Sequence, residues 1–407
     1  MKCPGDLRLK RWVGGLFSCP EIEHHILVFS SSCPVHRPFV EDEPPGFGKY
    51  FTRDARITQL FIIMTQNLKI LRDPFWDIIK GLGIILVVLG HFLQSRQSNV
   101  DDNLCYRAIY SFHMPLFFFV SGYLSFRSLI SGGFLAKRFM GLVIPFLAWY
   151  FVLGWAEGTI HELGIAAFAL RLVLHPDWGL WFLWILFSCY LVLYPVSWIG
   201  NSPSSRWLVT GTGILVFFGV RFFPSDNFGL PLLRLNLLFF LAGFLGHLWN
   251  LGSYGALKRF VPDICIIGFF LLVPFWRRVG PYPFEPYLRL YFPGGAGLMI
   301  EIFNYIVAFC GIGALSEFAA AVSAKAYSGA LLGFLGRSSF EIYAVHFKVL
   351  ALVSATRFFS GGVELIEVII GVAAVIAISL LISHVLLRRA RLLNLLFLGS
   401  RQIPARS

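Results

Sequence analysis

Asp77, Lys80 and His91 stand in an apolar run, LRDPFWDIIKGLGIILVVLGHF at residues 71–92, that is long enough to cross a bilayer. On a helix each residue advances by about 100°, so the eleven steps from Lys80 to His91 return to within roughly 20° of one face, and Asp77 lies about 40° away. The three groups therefore share a stripe, while Ile78, Ile79, Ile85, Leu86, Val87 and Leu89 occupy the other faces. An ionisable side chain at the centre of a membrane helix costs about 3 kcal/mol and normally faces a bundle interior or an aqueous cavity, where it serves a function. An imidazole whose ordinary pKa is near 6.5 suits proton transfer, and it can also act as a nucleophile. A plainer reading exists for Asp77 and Lys80: an i,i+3 ion pair near the helix start, snorkelling to the interface, explains both without chemistry. His91 is harder to explain that way, because at ~1.5 Å per residue it lies roughly 24 Å from Phe75, in the far third of a ~30 Å core.

The elements that must hold this stripe are apolar too. The 407-residue chain is 57% hydrophobic and 14% charged, whereas soluble domains carry about 25% charged residues. The expected fold is an all-α integral membrane protein of about ten transmembrane helices, with the runs at 207–223 and 261–276 near the short limit for a span. The net charge of +12 would suggest nucleic acid in a soluble protein. Here the basic residues fall largely in loops, where they fix orientation, so no nucleic-acid partner is expected. Lys69 and Arg72, then Arg127, Lys137 and Arg138, then Lys258 and Arg259, and finally Arg388, Arg389 and Arg391 mark cytoplasmic loops in an N-in, C-in topology. Arg277, Arg278 and Arg289 run against that pattern. The seven cysteines show neither a disulfide framework nor metal-ligand spacing, and no metal is expected.

Residues 1–63 mix prolines, charges and short apolar pieces without periodicity. They read as an over-called start ahead of Met64 or as a disordered cytoplasmic tail. Residues 64–390 form the transmembrane domain, and residues 391–407 a basic cytoplasmic tail.

RDPFWDIIKGLGIILVVLGH followed by IYSFHMPLFFFVSGYL resembles the acyltransferase 3 family of integral membrane acyltransferases, in particular its branch related to fucose 4-O-acetylases. KRFMGLVIPFLAWY at 137–150, LWFL at 180–183 and GRSSFEIYAVHF at 336–347 extend the resemblance to the end of the last apolar run. It implies a multi-pass protein of the bacterial inner membrane that moves an acyl group, commonly acetyl from acetyl-CoA, to a sugar hydroxyl of a cell-surface or secreted polysaccharide or its lipid-linked precursor. His91 maps onto the family's essential histidine. His113, on the next run, reaches a similar depth and is its expected neighbour, although a hydrogen bond to an adjacent helix would also explain it. Arg72, Lys80, Lys137 and Arg138 suit the phosphates of the donor. The positive-inside rule also accounts for Lys137 and Arg138, and the second basic residue many members carry three positions after the arginine is here Gly141. Ser121, Trp181, Glu341 and His346 are expected to line or close the cavity, with Trp181 equally suited to an interfacial anchor and Ser121 to helix packing. The rival class is a transporter or exporter of a glycan or lipid, whose path the same polar stripe could line without covalent chemistry.

Overall fold

The computed structural model describes residues 73–399 apart from 98, 127–132, 177–178, 200–204, 252–254 and 357–363. The expectations for residues 1–63, for Arg72 and for the chain beyond Gly399 lie outside the described residues. Helix α1 (Pro74–Arg96) starts where Asp73 accepts a hydrogen bond from the backbone N–H of Phe75 at 3.0 Å and Pro74 fills the first turn, a position where its missing donor costs nothing. After a single 3₁₀ turn at Val100–Asp102, the side chain of Asn103 caps α2 (Leu104–Ser125), accepting from Tyr106 N–H at 3.1 Å. α2 runs unbroken across Pro115. α3 (Phe134–Ala156) widens to a π-turn at Phe139–Val143, just ahead of Pro145, which has no N–H to give to the regular ladder.

The chain continues through α4 (Thr159–Leu163), α5 (Ile165–Leu174), α6 (Trp181–Leu193), α7 (Ser205–Phe222), α8 (Leu230–Leu248), α9 (Gly255–Leu272) and α10 (Glu285–Tyr291). It ends with α11 (Ala296–Ser323), α12 (Ala326–Arg337), α13 (Ser339–Ser354), α14 (Leu365–Leu387) and α15 (Arg391–Leu398). Among the described residues there is no strand. Each apolar run read from the sequence carries a helix, and α1, α3, α8, α11 and α14 are long and apolar enough to cross a membrane. Large apolar side chains such as Leu215, Phe222, Ile267, Phe270 and Leu365 stand exposed on the outer helices, a surface suited to lipid rather than water.

α1 is the hub: α2, α11, α12, α13 and α14 all pack against it. Glycines set the closest approaches. A Cβ on Gly81 would lie 2.1 Å from the Leu332 carbonyl oxygen, and one on Gly336 1.7 Å from that of Asp77, so α1 and α12 meet backbone to backbone. Gly122 against Phe240 and Gly243 against Phe119, each 2.0 Å from a carbonyl oxygen, do the same for α2 and α8. Small residues at such crossings are the usual means of tight helix contact in lipid, where dispersion replaces the hydrophobic effect. At the chain's far end, Gly399 (φ +64°) closes α15 with its backbone against Gly141 of α3, where a Cβ would lie 2.6 Å from the Gly141 Cα.

Candidate active site

α1 and α2 are antiparallel, and glycines report their register: Gly83 abuts Leu116 and Phe117, while Gly90 abuts Ile109 and Tyr110. In that register Lys80, Ile84 and Val87 of α1 face Ser121, Phe117 and Met114 of α2, and all six line one cavity of about 130 Å³. Both series advance by four and then three residues, the step that keeps a helix on one face. One further step of four along each brings His91 and Tyr110 together, with Nδ1 and the phenol oxygen 2.9 Å apart. α13 makes the third wall in the same direction. Ser339, Phe340 and Tyr343 line the cavity, and beyond them the His346 and Phe347 rings lie 5.3 and 4.4 Å from the His91 ring. The cavity therefore lies between three helices, and His91, Tyr110 and His346 stand one helical turn past its last lining residues, Val87, Met114 and Tyr343, on the same faces of those helices.

Hydrogen-bond chemistry fixes the state of His91. A guanidinium only donates, so Gln94 Oε1 accepts from Arg278 at 3.1 Å. The same oxygen accepts the Tyr110 O–H at 2.6 Å. The one phenol proton is thereby committed, and the Tyr110 oxygen must accept from His91 Nδ1–H. Neutral His91 is left with its lone pair on Nε2. His113 and His346 donate Nδ1–H to the carbonyl oxygens of Ile109 and Tyr343, at 2.9 and 2.7 Å. His346 is fully buried, and its Nε2 has no hydrogen-bond partner among the described residues. The Tyr110 ring, edge-on to both His91 and His113 at 5.8 and 4.7 Å, stands between them.

The other end of the cavity is charged. Asp77, buried where α1 meets α12, pairs with Lys80 at 2.7 Å. Glu341 pairs with Arg388, whose guanidinium also donates to His384 Nε2 at 3.3 Å. Lys137 is exposed, whereas the Arg138 guanidinium lies over the Phe134 and Tyr190 rings at 5.0 and 4.6 Å. One turn beyond Arg138, Leu142 enters the cavity lining.

The structure thus brings His91, His113 and His346 to one level. Asp77 stands about 21 Å along the helix from His91, beside Lys80, with which it pairs. Lys80 and Ser121 share the cavity wall. Trp181 does not line it: its ring stacks at 6.3 Å on Phe118, and the neighbouring Phe182 takes the lining position. Tyr110, Gln94 and Arg278 are the residues that sequence reasoning did not single out. Only Arg278 left a signal, as a cation in a loop where the charge pattern predicted none. Among the described residues no cluster of His, Cys, Asp or Glu could hold a metal ion.

A family model described as an acyltransferase domain matches residues 73–384. Nodulation protein NolL of Sinorhizobium fredii is 33% identical over 183 residues, 43% of this chain and 48% of that protein. Nodulation protein NolL of Mesorhizobium japonicum is 28% identical over an equal length, again 48% of its own chain. The chain therefore spans about half the length of these curated relatives. No solved structure matches it. Because the family model takes in α1 through most of α14, with the cavity and the histidine cluster inside it, the chain belongs to the acyltransferase 3 family of membrane acyltransferases.

Proposed function

We propose that this protein is a multi-pass O-acyltransferase of a bacterial inner membrane that moves an acetyl group from acetyl-CoA to a sugar hydroxyl of a cell-surface or secreted polysaccharide or its lipid-linked precursor. The observation that carries the reading is the placing of His91, with Tyr110 and His346 about it, one helical turn past the cavity that Lys80 and Ser121 line. In an N-in, C-in topology the charged end faces the cytoplasm. The donor phosphates would stay there, near Lys80, Lys137 and Arg138. A cavity of about 130 Å³ is well below the 300–1,000 Å³ typical of small-molecule clefts, so only a slim chain could thread it, as the thioester-bearing arm of the donor must. The acceptor would approach from the end where α1 finishes and α2 begins.

The chemistry follows from the tautomer. A sugar hydroxyl is a weak nucleophile until its proton is removed, and His91 Nε2 holds the lone pair that can take it as the oxygen attacks the thioester carbon. The C–S bond then breaks, and the imidazolium returns the proton to the departing sulfur. Tyr110 accepts from Nδ1–H throughout, keeping the ring oriented. His113 and His346 wall the reacting centre.

The test is release of CoA thiol by the purified protein in detergent, with acetyl-CoA and an envelope glycan fraction and no membrane gradient. Thiol released in step with new glycan acetyl esters is expected. A protein that binds the glycan but releases no thiol is a transporter or exporter, and the enzymatic reading fails.

A further inference from the structure

Arg278 lies outside the helices, in the loop after α9, yet it reaches the catalytic side chains. Its guanidinium lies 4.4 Å over the Tyr110 ring, donates to Gln94 Oε1 at 3.1 Å and is hydrogen-bonded to the Tyr106 hydroxyl. The loop is held for this purpose by one carboxylate. Asp101, in the turn between α1 and α2 and 7% exposed, accepts the backbone N–H groups of Arg278, Val279 and Gly280 at 3.0, 2.9 and 2.9 Å. A second tether comes from Tyr282, whose hydroxyl reaches the Arg277 carbonyl oxygen and Asn304 Oδ1 of α11, both at 2.9 Å. The neighbouring cation is used differently: Arg277 donates to the carbonyl oxygens of Pro274 and Trp276 in its own loop.

We infer that Arg278, clamped by Asp101, is a positioning residue that acts on His91 through Gln94 and Tyr110. This rests on the acyltransferase reading and on His91 as its base. The chain runs Arg278 N–H to Gln94 Oε1, Tyr110 O–H to the same oxygen, and His91 Nδ1–H to the Tyr110 oxygen. Each bond dictates the direction of the next. Without Arg278, the Gln94 amide is no longer held oxygen-inward and can turn its NH₂ toward Tyr110. The phenol would then accept from Gln94 and turn its own proton toward His91. That proton demands the lone pair at Nδ1, and so moves the imidazole proton to Nε2, where it blocks base catalysis. A histidine in the wrong tautomer keeps its place and loses its function. This also explains why a cation stands where the charge pattern predicts none.

The experiment measures acetyl transfer from radiolabelled acetyl-CoA to endogenous acceptors, in membranes of cells that lack the chromosomal copy and carry Arg278→Met, Asp101→Ala, Tyr110→Phe, the Arg278→Met/Tyr110→Phe pair, or Arg278→Lys. Rates are normalised to protein that elutes as a folded species in detergent. Arg278→Met and Asp101→Ala should each lower turnover on the order of 10-fold with KM for acetyl-CoA unchanged, since the donor phosphates would bind near the start of α1, far from this loop. Arg278→Lys, which keeps one donor, should recover part of the loss. Because one chain carries the effect, the pair should be no worse than Tyr110→Phe alone, a non-additivity expected of residues in one network. Wild-type turnover in Arg278→Met, a matching rise in KM, or losses that multiply in the pair would each overturn the inference. His91→Ala, run alongside, separates the two claims: if it stays active, the catalytic reading itself fails, whatever Arg278 does.

Discussion

Lys137 and Arg138 are adjacent cations held in different ways, one exposed and the other laid across two aromatic rings. If both meet donor phosphates, their contacts are the same in ground and transition states. Neutralising them together should then raise KM for acetyl-CoA by about 10-fold with little change in kcat, as initial rates across donor concentration would show; an unchanged KM would remove both from the donor site. Asp101 makes a prediction on the pH axis. Desolvation pushes its carboxyl up, but the three amide hydrogen bonds and the nearby Arg277 outweigh that and hold it below the ordinary value of 3.8. A depressed carboxylate stabilises the fold above its unfolded pKa, and that contribution fades as pH falls through the lower folded value. The thermal-stability gap between wild type and Asp101→Ala in detergent should therefore be constant from about pH 5 upward and shrink only below about 3.8; a gap that grows on acidification would contradict the clamp. At this scale the sequence was partly legible. His91 was visible because an imidazole deep in an apolar run is costly. Tyr110 and Gln94 were not, because polar groups near helix ends are ordinary, and their role depends on an antiparallel register that no local pattern encodes.

Apolar runs announce helices, so nearly every long element was readable from composition and period. α12 was the exception. AYSGALLGFLGR is short and rich in small residues, and its importance lies in what it lacks: side chains at the crossing with α1, where Gly336 meets the backbone of Asp77. Gly336→Val should force the two helices apart and destabilise the protein by roughly 1–3 kcal/mol, as overpacking does. The melting temperature in detergent should fall by several degrees, while Gly211→Val, facing open space on α7, should leave it unchanged. Equal melting of both variants would mean that the α1–α12 contact is not a close one. The same crossing shows why Asp77 looked catalytic from the sequence. It shares the helix stripe with His91, but it is buried against α12 and paired with Lys80, far along the helix from the histidines.

For the molecule as a whole, the account requires two faces with different tasks. Lys80, Lys137, Arg138 and Arg388 gather at the end where α1 begins, and Asp101 and Arg278 at the other. A reporter active only outside the cytoplasm should be silent when fused after Arg391 and active when inserted within 98–104; the reverse pattern would put the donor end on the wrong side of the membrane. That the two faces are joined at His91, one helical turn past the cavity between α1, α2 and α13, is the central claim. Its most direct test is His91→Ala, with glycan acetyl content measured in cells that accumulate equal amounts of variant and wild-type protein. Loss of a positioned base costs 10²-fold or more, so acetylation should fall by at least about that factor while the protein still inserts. Near-normal acetylation by the His91→Ala protein would contradict the account.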